Sequence, residues 1–568
     1  MIQVSEPKRS YLPAGFQAAD PAAVNARFDE LDARPLADLA ALKAWIRDGD
    51  ELAAALEQER NLRFIATTQN TADEKVQAAY QSFVETIDPI LQERGFQLAA
   101  RLLASPDHAR LEPAVYGQYL FAVKTRQELF RKENIALQVE ESRLQTEYGR
   151  LVGGTQVEFE GKPHPLPRMR VYRDALDRKK REAAWRATSR RLLQDRERYE
   201  ALFEELFALR QRIARNAGFP DYIGYRFKEW RRPYSPADCR TFHAAVEAHV
   251  LPVLKELRRE RREKLGLAAL RPWDLDVDLE GRAPLRPFET APDLIRLSRD
   301  LLGRVDKVFG SRIDWMRDNK MLDLDSRPGK GPGGYMCELP ERRVPFIFMN
   351  AAGLQQDVNT MLHEGGHAFH VFETRQHELS FNRSAPIEFA EVASMSMELL
   401  GLDFADGPYG AAAANRARRE HLEHILEILA WISTVDCFQL ELYARPDHTR
   451  EERRDLWLAT ARRFRVEVDY SGFQEEEAAR WHMQSHIFVH AFYYIEYAIA
   501  QLGALQVWRN FRKDPVHAVA AYRKGLSLGH TQPLPKLFEA AGARFDFGER
   551  TVGELMTFVR GELEAQPS

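Results

Sequence analysis

The run Gln356–Val371, QDVNTMLHEGGHAFHV, sets the strongest limit on what this chain can become. His363 and His367 stand four residues apart, so they act together only on a helix, where that spacing puts both on one face. Two imidazoles there can grip one metal ion, and Glu364, one step round, can reach a water molecule beside the ion without being a ligand. Val358, Met361, Leu362, Ala368, Phe369 and Val371 recur at helical spacing and give the helix a face to bury. Gly365 and Gly366 cut against this. Each costs roughly 1 kcal/mol relative to alanine inside a helix, so the pair predicts a close approach at that turn, by a substrate backbone, a neighbouring strand or ordinary packing.

A catalytic zinc commonly takes three protein ligands and keeps one position open, which directs attention downstream. Ser384–Leu400, SAPIEFAEVASMSMELL, predicts a second helix, with Ser384 as a cap and Pro386 in the first turn. Glu388 and Glu391 fall on one face of it, with Glu398 two turns further on. The loop from Glu373 to Arg383 is long enough to turn one helix back beside the other. That arrangement would deliver Glu391 as third ligand and leave Glu388 or Glu398 to orient the histidines. A solvated acidic face has the same spacing, and the upstream histidines decide between the two.

LHEGGHAFH followed by EFAEVASMSMELL resembles the M3 peptidases, the thimet oligopeptidase and oligoendopeptidase F group, and most closely their bacterial oligoendopeptidase and Pz-peptidase branch. The resemblance implies one zinc ion per chain, held by His363, His367 and Glu391, with Glu364 as general base.

The rest of the chain is compatible with that reading. Its 568 residues can bury a large core, and a net charge of −4 provides no basic field for nucleic acid. Three scattered cysteines, Cys239, Cys337 and Cys437, suit a reducing compartment. The N-terminal MIQVSEPKRSYLPAGF has no signal-peptide core, and eighteen apolar residues nowhere run together. A cytoplasmic protein that does not span a membrane is expected. Residues 20–150 are helical in pattern. A break at residues 151–170, with Gly153-Gly154 and three prolines, marks a small hairpin and a lobe boundary, dividing the chain into an N-terminal helical lobe (1–165) and a catalytic lobe (166–568). Ala217–Cys239 is rich in aromatic and basic residues and is read as helix packing; Arg258–Lys264 is read as a solvated face.

Two further stretches carry chemistry. In Met321–Asn350, glycines 329, 331, 333 and 334 predict a flexible loop, and Tyr335–Leu339 and Val344–Met349 predict two short strands. The edge of such a hairpin can pair with an extended peptide through main-chain hydrogen bonds. The family resemblance implies the same role, with the Gly333-Gly334-Tyr335 loop closing over the substrate. Arg480–Trp508, if helical, sets His486, His490, Tyr493 and Tyr497 within about one face. The resemblance implies a histidine and tyrosines at the oxyanion, here His486 first, then Tyr493 and Tyr497, with Tyr494, His482 and His490 as replacements.

The expected fold is mainly α: two helical lobes enclosing a deep cleft, with a small β-hairpin or sheet beside the zinc helices. The expected activity is zinc-dependent hydrolysis of internal bonds in short unfolded peptides, without nucleic-acid or membrane partners and with the oligomeric state open. A metallo-carboxypeptidase, and a peptide- or metal-binding protein without chemistry, are the alternatives. Retention of Glu364 argues against the second, because a site that only binds has no use for a general base.

Overall fold

The computed structural model describes residues 9–566. The N-terminal run read against a signal peptide lies partly, at residues 1–8, outside them. The fold is mainly helical, with one two-stranded and one three-stranded sheet among the described residues, and none of its helices is long and apolar enough to cross a membrane.

Two large apolar cores organise the chain. The smaller gathers Leu12, Phe28, Trp45, Leu56, Phe83 and Tyr116 with Leu379 from the distant lobe. The larger runs from Tyr199 through the C-terminal helices and also takes in Leu129, Leu144, Tyr148 and Leu151. Asn134–Gly153, although N-terminal to the expected boundary, therefore packs with the later part of the chain. The predicted hairpin follows as strands Gln156–Phe159 and Lys162–Pro165, turned by Glu160 and Gly161, both at positive φ.

Beside the site, Leu322–Asp325 pairs parallel with Val344–Ala351, and Tyr335–Leu339 pairs antiparallel with the other side of that strand. The sheet thus has three strands rather than the expected two. Leu322–Asp325 was not legible because four residues with a parallel, distant partner carry almost no local signal. Tyr335–Leu339 remains an edge, as the hairpin reading requires.

The motif helix is Gln355–Thr374, started by Asp357, whose carboxylate accepts from the amides of Ala352 and Leu354. The carboxylate helix is Ile387–Leu402. Its start corrects the expectation for Ser384: Pro386 holds the extended position before the first turn, and the Ser384 hydroxyl donates to the Phe381 carbonyl instead. The basic cluster is also less solvated than read, since Arg258 is buried on Glu427 and Arg261 donates to the Val277 carbonyl.

Candidate active site

The two helices meet where the sequence placed two glycines. A Cβ on Gly366 would lie 2.5 Å from both the Ala393 carbonyl oxygen and Ser394 Cα, whereas one on Gly365 would touch nothing nearer than Leu302 Cδ1 at 3.5 Å. Gly366 therefore admits the carboxylate helix itself. On the opposite side of that helix, Gly503 of Ile495–Lys513 does the same, with Val392 2.6 Å from its absent Cβ.

This close contact brings Glu391 to the histidines. Its Oε2 lies 3.4 Å from His363 Nε2 and 3.9 Å from His367 Nε2, and one ligand atom from each of the three residues falls within 4.8 Å of the others. Tetrahedral bonds of ~2.0–2.1 Å to zinc put ligand atoms about 3.4 Å apart, so the donor set fits such an ion with little adjustment. The outer nitrogens are also engaged. His363 Nδ1 meets Glu398 at 2.7 Å, and His367 bonds to the Ala390 carbonyl, which leaves both Nε2 atoms facing inward. Glu398 thus takes the orienting role left open between it and Glu388; Glu388 accepts from Tyr234 Oη at 3.1 Å instead.

The electrostatics point the same way. Burial opposes a charge on His363, yet its hydrogen bonds to the Glu391 and Glu398 carboxylates outweigh it and hold its pKa well above the usual imidazole range. Burial pushes His367 down to about 4 and Glu364 up to about 7, although the Met336 amide and the charge on His363 favour the Glu364 carboxylate. Carboxylates crowded into a closed site in this way are a natural seat for a divalent cation. The Met336 contact also shows where Glu364 lies: against the edge strand.

The glycine loop corrects the sequence reading of flexibility. Lys330 Nζ donates to Asp323, Asp325 and Met349, and Asn350 to the carbonyls of Gly331 and Gly333. Gly331 N–H donates to Thr68 O at 2.6 Å, and Thr71 N–H to Gly329 O at 2.7 Å, tying the loop to the end of the N-terminal helix Leu39–Gln69. Gly333, at φ 92°, makes the turn, and Gly334 packs against Thr360 of the motif helix. The Tyr335 ring stacks on Phe348 and its hydroxyl lies 2.6 Å from Thr68 Oγ1, so its side chain is already engaged.

Arg480–Trp508 is not one helix. Single turns at Arg480–Met483 and Ser485–Phe488 lead to a break in which Phe492, at φ 67°, gives its amide to Gln439 Oε1, and the long helix starts only at Ile495. The rings still converge. His486 lies 5.7 Å from Tyr493, 4.6 Å from Tyr494 and 5.9 Å from Tyr497, centroid to centroid, and His490 lies 6.0 Å from Tyr493. His482 does not join them, because it is buried and bonded to Glu200 at 3.0 Å. Burial raises the Tyr494 and Tyr497 phenols to about 12, and Tyr497 also feels Glu391 and Glu364. Burial lowers His486 to about 4, leaving a neutral imidazole.

Gln484, which the sequence reading passed over, fixes the tautomer of that imidazole. Trp431 Nε1 can only donate, and it donates to Gln484 Oε1 at 2.9 Å. The Gln484 NH₂ therefore faces His486 Nδ1, at 2.7 Å, and makes it an acceptor. The proton of neutral His486 is then on Nε2.

Comparison with known proteins completes the picture. The chain is 25% identical over 154 residues to an oligoendopeptidase F homolog of Lactococcus lactis subsp. lactis, covering 27% of this chain and 25% of that protein. It is 25% identical over 303 residues to oligopeptidase PepF of Bacillus subtilis, covering 51% and 43%. The matched stretches thus span a quarter to under half of these relatives. The solved structure of Pz peptidase A with an inhibitor superimposes with a TM-score of 0.89 at 25% identity, covering 98% of this chain and 99% of that one. Residues 14–130 match the peptidase M3 N-terminal domain. Residues 171–556, well over half of the chain and including both helices of the site, match peptidase family M3, and the chain belongs to that family.

Proposed function

We propose that this chain is a zinc-dependent endopeptidase acting on short unfolded peptides in the cytoplasm, with its catalytic lobe beginning near residue 166. The observation that carries the reading is the position of Glu364, buried between the inward-facing His363–His367–Glu391 set and the Met336 amide of the edge strand. His363, His367 and Glu391 would hold the zinc ion, which when bound would supply Lewis acidity to a peptide carbonyl and to a water molecule. Residues of the chain do the rest. The edge Tyr335–Leu339 lines up an extended substrate through main-chain hydrogen bonds, a mode that accepts many sequences. Gly333 and Gly334 set the start of that edge. Glu364 takes the proton of the attacking water on its carboxylate and returns it to the leaving amine. His486, with Nε2–H outward, and the protonated phenols of Tyr493 and Tyr497 supply neutral donors for the carbonyl oxygen as it gains charge. The three free thiols support a reducing compartment.

The test is an internally quenched peptide blocked at both ends, incubated before and after chelation and again with zinc restored. Cleavage that disappears with chelator and returns with stoichiometric zinc is the expected result. Cleavage confined to the version with a free C-terminus would transfer the protein to the carboxypeptidases, and no cleavage of either would leave a binding protein.

A further inference from the structure

A cavity of about 670 Å³ opens beside the site, lined by Gln118 of the N-terminal lobe and by Arg231, Glu388, His490, Tyr493 and His530 of the catalytic lobe. It adjoins the reaction centre through Glu388, one turn before Glu391 on the carboxylate helix, and through Tyr493, a member of the ring cluster. Most charged side chains in its wall are already hydrogen-bonded. Arg226 pairs with Glu229, Arg232 with Glu496 at 2.7 Å, and Glu388 accepts from Tyr234.

Arg231 is the exception. It is half-buried, yet among the described residues its guanidinium makes no hydrogen bond or ion pair; it feels Arg126, Glu229 and Glu388 only through space. Its backbone is left-handed, at φ 54°, a conformation unfavourable for a side-chain-bearing residue. That kink separates two consecutive arginines, with Arg232 bonded to Glu496 and Arg231 left on the cavity. His530 is only 9% exposed, and among the described residues its ring nitrogens have no hydrogen-bond partner. Burial and the nearby Arg231 charge lower it to about 4, so it is a neutral N–H donor. Gln118 lines the cavity as well, and among the described residues its amide has no hydrogen-bond partner. An unpaired guanidinium with two neutral donors beside it is complementary to a planar anion.

We propose that this cavity binds a carboxylate of the peptide substrate, gripped by Arg231 and flanked by His530 and Gln118, and thereby selects which bond reaches Glu364. The proposal rests on the peptidase reading of the adjoining site. The cavity begins three residues, about 4.5 Å of helix rise, from Glu391, and an extended chain advances ~3.5 Å per residue. The carboxylate therefore belongs to a residue a few positions from the scissile bond. It is either the free C-terminus or an acidic side chain.

Three quenched peptides with one common core separate these sources: neutral with a free C-terminus, neutral and amidated, and amidated with a glutamate near the end. Steady-state kinetics are measured for the wild type, Arg231→Gln and Arg231→Lys, with thermal melts to establish folding. We expect the wild type to favour at least one carboxylate-bearing peptide over the neutral amide by about tenfold or more, in KM rather than kcat. Arg231→Gln should bring that ratio near one, and Arg231→Lys should restore part of it. The ratio is taken within each variant, so a general loss of activity cancels. Equal handling of all three peptides by the wild type, or a preference that survives Arg231→Gln, overturns the proposal. Cleavage of none of them removes the peptidase reading itself, and the proposal with it.

Discussion

Gln484 is held from one side by Trp431, which can only donate, and holds His486 from the other, so a single amide decides which imidazole nitrogen carries the proton. Gln484→Met keeps the volume and removes the decision. We expect kcat to fall on the order of 10- to 100-fold with little change in KM, less than the ~10²–10³ loss typical when an oxyanion donor itself is removed. Gln484→Glu should not rescue, because the carboxylate presents an acceptor to Nδ1 and turns the proton inward. The tautomer can be read directly from the imidazole nitrogen shifts of labelled protein, and an unchanged Nε2–H in Gln484→Met would refute the role. The sequence could show His486 and its tyrosines, since ring chemistry is visible in residue type. It could not show Gln484, whose meaning comes from Trp431, 53 residues earlier. Arg231 was hidden likewise, because a basic residue in an aromatic run reads as packing until its neighbours' charges are known to be spent.

Two contacting helices account for the metal site as an element. The glycine pair signalled a close approach, and spacing alone indicated which carboxylates share a face; only packing distinguishes Gly366, against backbone, from Gly365, against a movable Leu302 methyl. Gly366→Ala should drive the helices apart, costing about 1–3 kcal/mol or more from overpacking. Because Glu391 lies two residues before Ala393, the same displacement should weaken zinc retention, as measured by metal content after dialysis. Gly365→Ala should leave zinc bound and raise the melting temperature, by up to about 1 kcal/mol of helix propensity. Equal metal content in both variants would detach the ligand geometry from the helix contact. The long element that the sequence misjudged, Arg480–Trp508, failed for a related reason. Phe492 takes a left-handed backbone to reach Gln439 on another helix, and nothing in its own neighbourhood announces that.

Across the whole molecule, the N-terminal lobe also grips the edge strand. Asn61 donates to the Glu338 carbonyl, and Gln58 holds Arg342 N–H and Glu341. The Glu338 carboxyl itself is pushed up to about 7, chiefly by burial and further by Glu57 of the same N-terminal helix, with Arg383 opposing. Its ordinary value is 4.5, so between pH 4.5 and 7 the folded protein keeps a proton that the unfolded chain has released. Its contribution to stability is fully present below pH 4.5 and is lost as pH rises through 7. Wild-type stability to urea should therefore decline between about pH 4.5 and 7. Glu338→Gln, neutral throughout, should match the wild type near pH 4 and exceed it at pH 8 by on the order of 2–3 kcal/mol. Buried neutral histidines such as His530, at about 4 when folded, tilt the opposite way, losing stability as pH falls from 6.5 towards 4. Since they are present in both proteins, the difference between the two curves isolates Glu338. A difference that stays flat from pH 5 to 8 would mean that this carboxyl is ionised in the folded protein and that the lobes meet without its proton.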